Sequence, residues 1–178
     1  MIPPRLRPFL ALLPTPLVLG FAQIGPVASW GKAPGTNGTV VGLLFYTVFF
    51  HGLSAPLQVM LLVPFVFLAI VVCDEAERRL NQRDPGTVIL DEVIAVPLCF
   101  LGLNGWILQT GAMWAYMLAG FALFRLFDIL KPFGIKKLQQ ISGGLGVVVD
   151  DLAAALATCL TLHAGLWILV AGGWIDLG

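Results

Sequence analysis

The stretch LQVMLLVPFVFLAIVVC, Leu57 to Cys73, carries no charge, and its only strongly polar side chain is Gln58. Its apolar residues run continuously instead of alternating, which argues for a helix over a half-buried strand. A bilayer core takes about 20 helical residues, with about 17 as the lower end, so this segment reaches across. A lipid-facing backbone must close its own hydrogen bonds, and an unbroken helix does so. The same helix has room to continue through Asp74 to Leu80.

Outward from this segment, charge falls into a few short zones. Between Pro8 and Cys73 the only formal charge is Lys32; from Pro85 to Phe124 there are only Asp91 and Glu92; after Asp151 there is only Asp176. The chain has 178 residues, 58% of them hydrophobic and 11% charged, with ten Lys or Arg balancing ten Asp or Glu. A soluble domain carries about a quarter of its residues as charge. At a mean hydropathy of +0.93, the chain cannot cover a globular surface with polar groups. Disorder, nucleic-acid binding and a secreted disulfide scaffold are disfavoured.

The gaps between charges give four more spans: Thr39 to Leu53, Glu92 to Leu108, Ala112 to Leu130 and Leu145 to Ala171. The first and third are short for a crossing. Phe9 to Val27 is apolar but interrupted by Pro14, Pro16 and Pro26, and reads as an interfacial or re-entrant segment, not as a signal peptide or a span. Arg78, Arg79 and Arg83 mark one loop as cytoplasmic, and Lys131, Lys136 and Lys137 another. Five crossings starting near Thr39 put both loops, with Arg5, Arg7 and Lys32, on that side. The expected fold is all-α: a polytopic membrane helix bundle of one domain, residues 1–178, with 1–30 peripheral or re-entrant. Cys73, Cys99 and Cys159 are far apart in apolar segments and read as small buried hydrophobes. His51 and His163 suggest no metal site.

The acidic residues near the cytoplasmic helix ends are Asp91-Glu92, Asp128 and Asp150-Asp151. Helix N-termini favour Asp and Glu, which accounts for Asp91 and Glu92. Asp150 and Asp151 follow the apolar run Leu145 to Val149 and fit that explanation less well. Asp128 lies near a helix C-terminus, where the helix field disfavours an anion. Arg125, Asp128 and Lys131 follow one another at i, i+3 spacing and are neighbours on a helix surface. Two cations around one anion form either a neutral scaffold or half of a site for phosphate and metal. Four or five carboxylates at one membrane face repel unless protonated, paired or bound to a hard metal, which suits Mg2+ or Mn2+. The same carboxylates also suit an ion pathway.

Gly31 to Thr39 reads as a loop before a helix that starts at Thr39 or slightly earlier. The helix start and the Thr36 hydroxyl suit a phosphate, although a Pro-Gly turn and an Asn cap need no ligand. No P-loop is present. Gly143-Gly144-Leu145-Gly146 allows a tight loop before the Asp pair, and Asp84-Pro85-Gly86 makes a turn before Asp91.

The segments KAPGTNGT (32–39), DPGTVILDEVIA (84–95), FRLFDILKPFGI (124–135) and GGLGVVVDDLAAA (143–155) together resemble the bacterial phosphatidylglycerophosphatase A family. The resemblance implies a multi-pass, Mg2+-dependent enzyme of the bacterial inner membrane. It would remove the terminal phosphate of phosphatidylglycerophosphate, an anionic phospholipid of the cytoplasmic leaflet, with its site facing the cytoplasm. The family's Pro-Gly-Thr loop falls on Pro34, Gly35 and Thr36, and its acidic positions on Asp84, Asp91, Glu92, Asp150 and Asp151. Its Arg-x-x-Asp-x-x-Lys-Pro motif falls on Arg125, Asp128, Lys131 and Pro132. Thr39 stands where serine is common, and Ala95 and Ala155 stand at small glycine positions.

On this resemblance, Asp91, Glu92, Asp150 and Asp151 hold one or two Mg2+ ions, with Mn2+ as a substitute. Asp128 is a further ligand, general base or nucleophile. Asp150 and Asp151 diverge by about 100° on a helix, so their roles are expected to differ. Arg125 and Lys131 clamp phosphoryl oxygens, while Lys32, Pro34, Gly35, Thr36, Asn37, Thr39 and Asp84 line the substrate site. Water is preferred to a covalent aspartyl-phosphate because no D-x-D-x-[TV] pattern occurs. The rival readings are a small cation or proton transporter, which needs ionisable groups through the bilayer depth, and a non-catalytic assembly protein. A CDP-alcohol phosphotransferase would need a D-G-x2-A-R motif that the chain lacks.

Overall fold

The computed structural model describes residues 12–132 and 134–175, and all regular structure among them is helical. In chain order the helices are α1 (Thr15–Ala22), α2 (Pro34–Phe49), α3 (Ala55–Leu80), α4 (Leu90–Cys99), α5 (Asn104–Thr110), α6 (Met113–Leu130), α7 (Ile135–Leu138) and α8 (Gly144–Ala171). A short 3-10 turn covers Val27–Ser29. α3 contains the whole Leu57 to Cys73 stretch and its extension, and ends on Asn81 in the left-handed conformation. Asn tolerates that conformation and commonly closes helices this way.

By length and composition α3, α6 and α8 suit a membrane crossing, and α4 with α5 makes a fourth if the pair is one broken span. α2, the first of the five expected crossings, has 16 residues and reaches about 24 Å at 1.5 Å per residue. The expected continuous span from Glu92 to Leu108 is corrected: it breaks after Cys99, and its two halves are bent by 68°. Pro97 lies in the last turn of α4, and Gly102 has φ +77°; both interrupt a helical ladder.

Backbone freed at such a break must find other partners inside a membrane. Here Gln58 Oε1 accepts from the Gly102 amide at 3.0 Å, and His163 Nε2 lies 3.0 Å from the Leu101 carbonyl. Asn104 Nδ2 donates to the carbonyls of Phe50 and Leu53 at 2.7 and 2.8 Å. Its own Oδ1 accepts from the Tyr46 hydroxyl, and the Tyr46 ring stacks on Phe100. The bend is therefore tied to α2, α3 and α8.

The core is apolar, but so is much of the exterior, and some polar side chains lie inside. Val63, Phe67, Leu118, Ile129, Leu160 and Ile168 are exposed, while Thr39, Gln58, Asn104 and Thr158 are buried. So large an apolar exterior marks a lipid-facing surface. The three cysteines are free and buried, as expected.

The expected loop from Gly31 to Thr39 is also corrected, because α2 begins at Pro34. Proline at the first helical position loses no hydrogen bond. The glycines that follow serve packing. A Cβ on Gly42 would lie 2.8 Å from Val96 Cβ, and one on Gly38 would collide with the Glu92 carboxylate. Gly35, Gly38 and Gly42 form a small-residue face that brings α2 directly onto α4.

Of the N-terminal segment Phe9 to Val27, residues up to 11 lie outside the described ones. α1 spans about 12 Å and packs Val18 and Ala22 inward. The Ile89 amide donates to the Ala22 carbonyl at 3.0 Å, and Arg79 Nη1 donates to Thr15 Oγ1 at 3.2 Å. α1 thus lies across the end of the bundle where α3 stops and α4 starts.

Candidate active site

The connections place the starts of α2, α4 and α8 and the end of α6 at one end of the bundle. Helix N-termini carry partial positive charge, so three of them favour an anion there. Asp91 and Glu92 occupy the first turn of α4. Asp150 and Asp151 project from α8 about two turns after its start at Gly144. Asp91, Asp150 and Asp151 are each 5% exposed or less. Such burial is rare for ionisable groups and needs compensation.

Compensation comes from α6 and from Lys131 just beyond it. Arg125 Nη1 lies 3.1 Å from Glu92 Oε1 and 2.8 Å from Asp128 Oδ2. Lys131 Nζ lies 3.7 Å from Asp128 Oδ1 and pairs closely with Asp150 Oδ2. The i, i+3 neighbours of the motif therefore meet as expected, and each cation also reaches a carboxylate on another helix. Burial works to lower the Lys131 ammonium, but its bond to Asp150 and the charges of Asp150, Asp151 and Asp128 outweigh it. The result lies above the usual lysine value and keeps Lys131 cationic at neutral pH. Lys131 also has φ +43°, a left-handed backbone that costs a non-glycine residue about 1–2 kcal/mol.

Five carboxylates are gathered against two cations. Asp151 is within electrostatic reach of Asp91, Asp128, Glu92 and Asp150. Four buried oxygens, Asp91 Oδ1, Glu92 Oε2, Asp150 Oδ1 and Asp151 Oδ2, have no hydrogen-bond partner. Unpartnered buried carboxylate oxygens are costly and suit a hard divalent cation, which takes oxygen ligands. Among the described residues, no group of three or more His, Cys, Asp or Glu is arranged to hold one metal ion. The donor chemistry fits a divalent ion, while the side chains are not gathered around a single point.

Other expected residues take different positions. Gly35 packs against the site: a Cβ there would collide with Glu92 Oε1 and lie 2.7 Å from Arg125 Nη1. Thr39 is buried, and its hydroxyl donates to the Gly35 carbonyl at 2.8 Å. Pro34 and Thr36 are half-buried in the first turn of α2, and Lys32 is exposed just before it. Asn37 turns away, donating to the carbonyls of Val27 and Trp30 at 3.0 and 2.6 Å. It ties α2 to the preceding 3-10 turn instead of contacting the acidic cluster. Asp84 is exposed and accepts from Gln139 Nε2 at 3.2 Å, linking the α3–α4 and α7–α8 connections. Gly38 was missed by the sequence reading, although its spacing of three from Gly35 and four from Gly42 marks one helical face.

Fold and site together define a membrane-embedded helical protein with a buried acidic cluster, paired to Arg125 and Lys131, at one end. Residues 18–166 match the family described as phosphatidylglycerophosphatase A, and the chain belongs to that family. It is 28% identical to the phosphatidylglycerophosphatase A of Haemophilus influenzae, over 77% of this chain and 82% of that protein. With the phosphatidylglycerophosphatase A of Escherichia coli it shares 24% identity, over 89% of this chain and 83% of the other. A Bacteroides thetaiotaomicron protein named provisionally as a phosphatidylinositol-3-phosphatase is 29% identical, over 77% of this chain and 86% of its own length. No solved structure matches the chain.

Proposed function

We propose that the chain hydrolyses the terminal phosphomonoester of phosphatidylglycerophosphate, releasing phosphatidylglycerol and inorganic phosphate, with Mg2+ or Mn2+ as cofactor. The observation that carries this reading is the buried set of four unpartnered carboxylate oxygens beside Arg125 and Lys131. Family membership supplies the substrate class. The Bacteroides relative's name also points to a lipid phosphomonoester, so the headgroup beyond the phosphate is the variable.

Asp91, Glu92, Asp150 and Asp151 are the residues that would hold the divalent ion. Such an ion polarises a phosphoryl oxygen and lowers the pKa of bound water. Arg125 offers a planar fork and Lys131 a point charge to the remaining phosphoryl oxygens. Both Asp128 oxygens are engaged, Oδ2 by Arg125 and Oδ1 by Lys131. We therefore assign Asp128 to orienting the two cations, and water to the attack. As water's oxygen bonds to phosphorus and the bond from phosphorus to the glycerol oxygen breaks, charge grows on the transferring oxygens, and the proton that water gives up ends on the glycerol hydroxyl. Preplaced cations and helix N-termini stabilise that charge without reorganising. Arg78, Arg79, Arg83, Lys136 and Lys137 belong to this end of the bundle, which supports a cytoplasm-facing site in the bacterial inner membrane.

The test is phosphate release by the purified full chain in mixed micelles. Phosphatidylglycerophosphate, phosphatidylinositol 3-phosphate and a water-soluble phosphomonoester are compared, with Mg2+ and with EDTA. The expected result is release from phosphatidylglycerophosphate that EDTA abolishes and Mg2+ restores. Release that persists fully in EDTA contradicts the metal assignment, and release from none of the three contradicts the enzyme.

A further inference from the structure

We infer that Asp74, on α3, is a positioning residue that sets the placement of Asp150 and Asp151 by capping α8 from outside. The inference deepens the proposed function and rests on it for its kinetic arm. α8 opens on Gly143, whose backbone has φ +80° and which brings no side chain to its own helix start. A helix start leaves amides without partners, and a side-chain oxygen at the cap usually serves them. Here that oxygen comes from another helix: Asp74 Oδ1 accepts from the Gly144 amide at 3.0 Å. Its charge also opposes the positive end of the α8 dipole.

The contact leaves no slack. A Cβ on Gly143 would collide with Asp74 Oδ1, and one on Gly144 would collide with the Ile70 carbonyl and lie 2.5 Å from the Asp74 amide nitrogen. The two glycines bring the first turn of α8 directly onto the backbone of α3, with the Asp74 carboxylate as the stop. Asp150 follows Gly144 by six residues, about 9 Å along a rigid helix. A slip of α8 by one residue would rotate it by about 100° and shift it by about 1.5 Å. Asp150 would then leave Lys131, and Asp151 would leave its buried seat. The glycine run that reads in sequence as a permissive loop is thus a docking surface, and Asp74 is its partner.

Position and charge are separable by substitution. Asp74→Asn keeps an acceptor at the same reach without charge, whereas Asp74→Glu keeps the charge but adds a methylene where Gly143 leaves no space. The expected result is that Asp74→Ala and Asp74→Glu each lower kcat about tenfold or more with KM within about twofold, because geometry at the reacting centre is lost. Asp74→Asn should stay within about threefold of wild type, because it still caps. Hydrogen exchange on the full chain in detergent gives a readout free of activity. Amides of residues 144–148 should exchange at least about tenfold faster in Asp74→Ala and remain protected in Asp74→Asn. The inference is overturned if Asp74→Glu is active and Asp74→Asn is not, since charge and not position would then matter. Unchanged protection in Asp74→Ala also overturns it, whether or not the wild type releases phosphate.

Discussion

Asp151→Asn is expected to cut turnover by about 10²–10³-fold while leaving the metal-free protein as stable as wild type or more so. Asp151 is 4% exposed, its Oδ2 has no hydrogen-bond partner, and four carboxylates crowd it, with Lys131 the cation within electrostatic reach and no ion pair between them. A buried anion that is crowded by like charges and makes no direct ion pair destabilises the fold. A neutral side chain of the same shape relieves that repulsion and removes a ligand oxygen at the same time. Thermal unfolding in EDTA should rise by about 2–4 °C, corresponding to about 1 kcal/mol in a chain of this size. Mg2+ should raise the unfolding temperature of the wild type and leave that of the variant nearly unmoved, because only a protein that binds the ion is stabilised by it. Asp91→Asn should behave in the same way, since Asp91 Oδ1 is equally without a partner. A variant with normal turnover would exclude its residue from the site.

Arg125→Ala has the opposite sign on stability. The same guanidinium nitrogen holds Glu92 at 3.1 Å and Asp128 at 2.8 Å, with the three side chains between 12% and 19% exposed. Its removal leaves Glu92 without its cation and Asp128 with only the longer contact to Lys131 at 3.7 Å. Breaking a largely buried pair from one side costs about 3–5 kcal/mol, which would lower the melting temperature by roughly 6–20 °C at about 2–4 °C per kcal/mol. Turnover should fall with it. Arg125→Lys restores the charge but not the fork, so it should recover stability further than turnover. Equal recovery of both would mean that Arg125 acts only as a structural counter-ion.

The two substitutions separate groups that the fold tolerates for the sake of chemistry from groups that hold it together. Both kinds lie in motifs visible in sequence, but their partners are not. Spacing alone makes Arg125, Asp128 and Lys131 neighbours, because i, i+3 pairs meet on any helix. Nothing local says that Arg125 also reaches Glu92 on α4, or that Lys131 reaches Asp150 on α8; those contacts depend on which helices pack together. Leu57 to Cys73 reads correctly because a continuously apolar run of bilayer-crossing length has to close its own backbone hydrogen bonds, and a helix does so.

The segment from Gly31 to Thr39 misleads because proline and glycine break helices in water. At the first turn proline costs nothing, and in a membrane bundle glycine is a packing residue. Gly35 and Gly38 accordingly lie inside α2 against the Glu92 carboxylate. The break after Cys99 had its signals in Pro97 and Gly102, but the absence of charge from Val93 to Phe124 masked them. The role of Asp74 was hidden for a different reason, since a cap supplied by another helix leaves no pattern at the helix that it caps.

On the proposed function, carboxylates of α4 and α8 share a divalent-cation site beside Arg125 and Lys131. Its most direct test is Mn2+ binding to the purified protein, followed by the loss of the free-ion signal in electron paramagnetic resonance. The wild type should bind stoichiometrically, Mg2+ should compete, and binding should be lost when Asp91 and Asp151 are both replaced by asparagine. Binding of equal strength in that double variant would contradict the shared site.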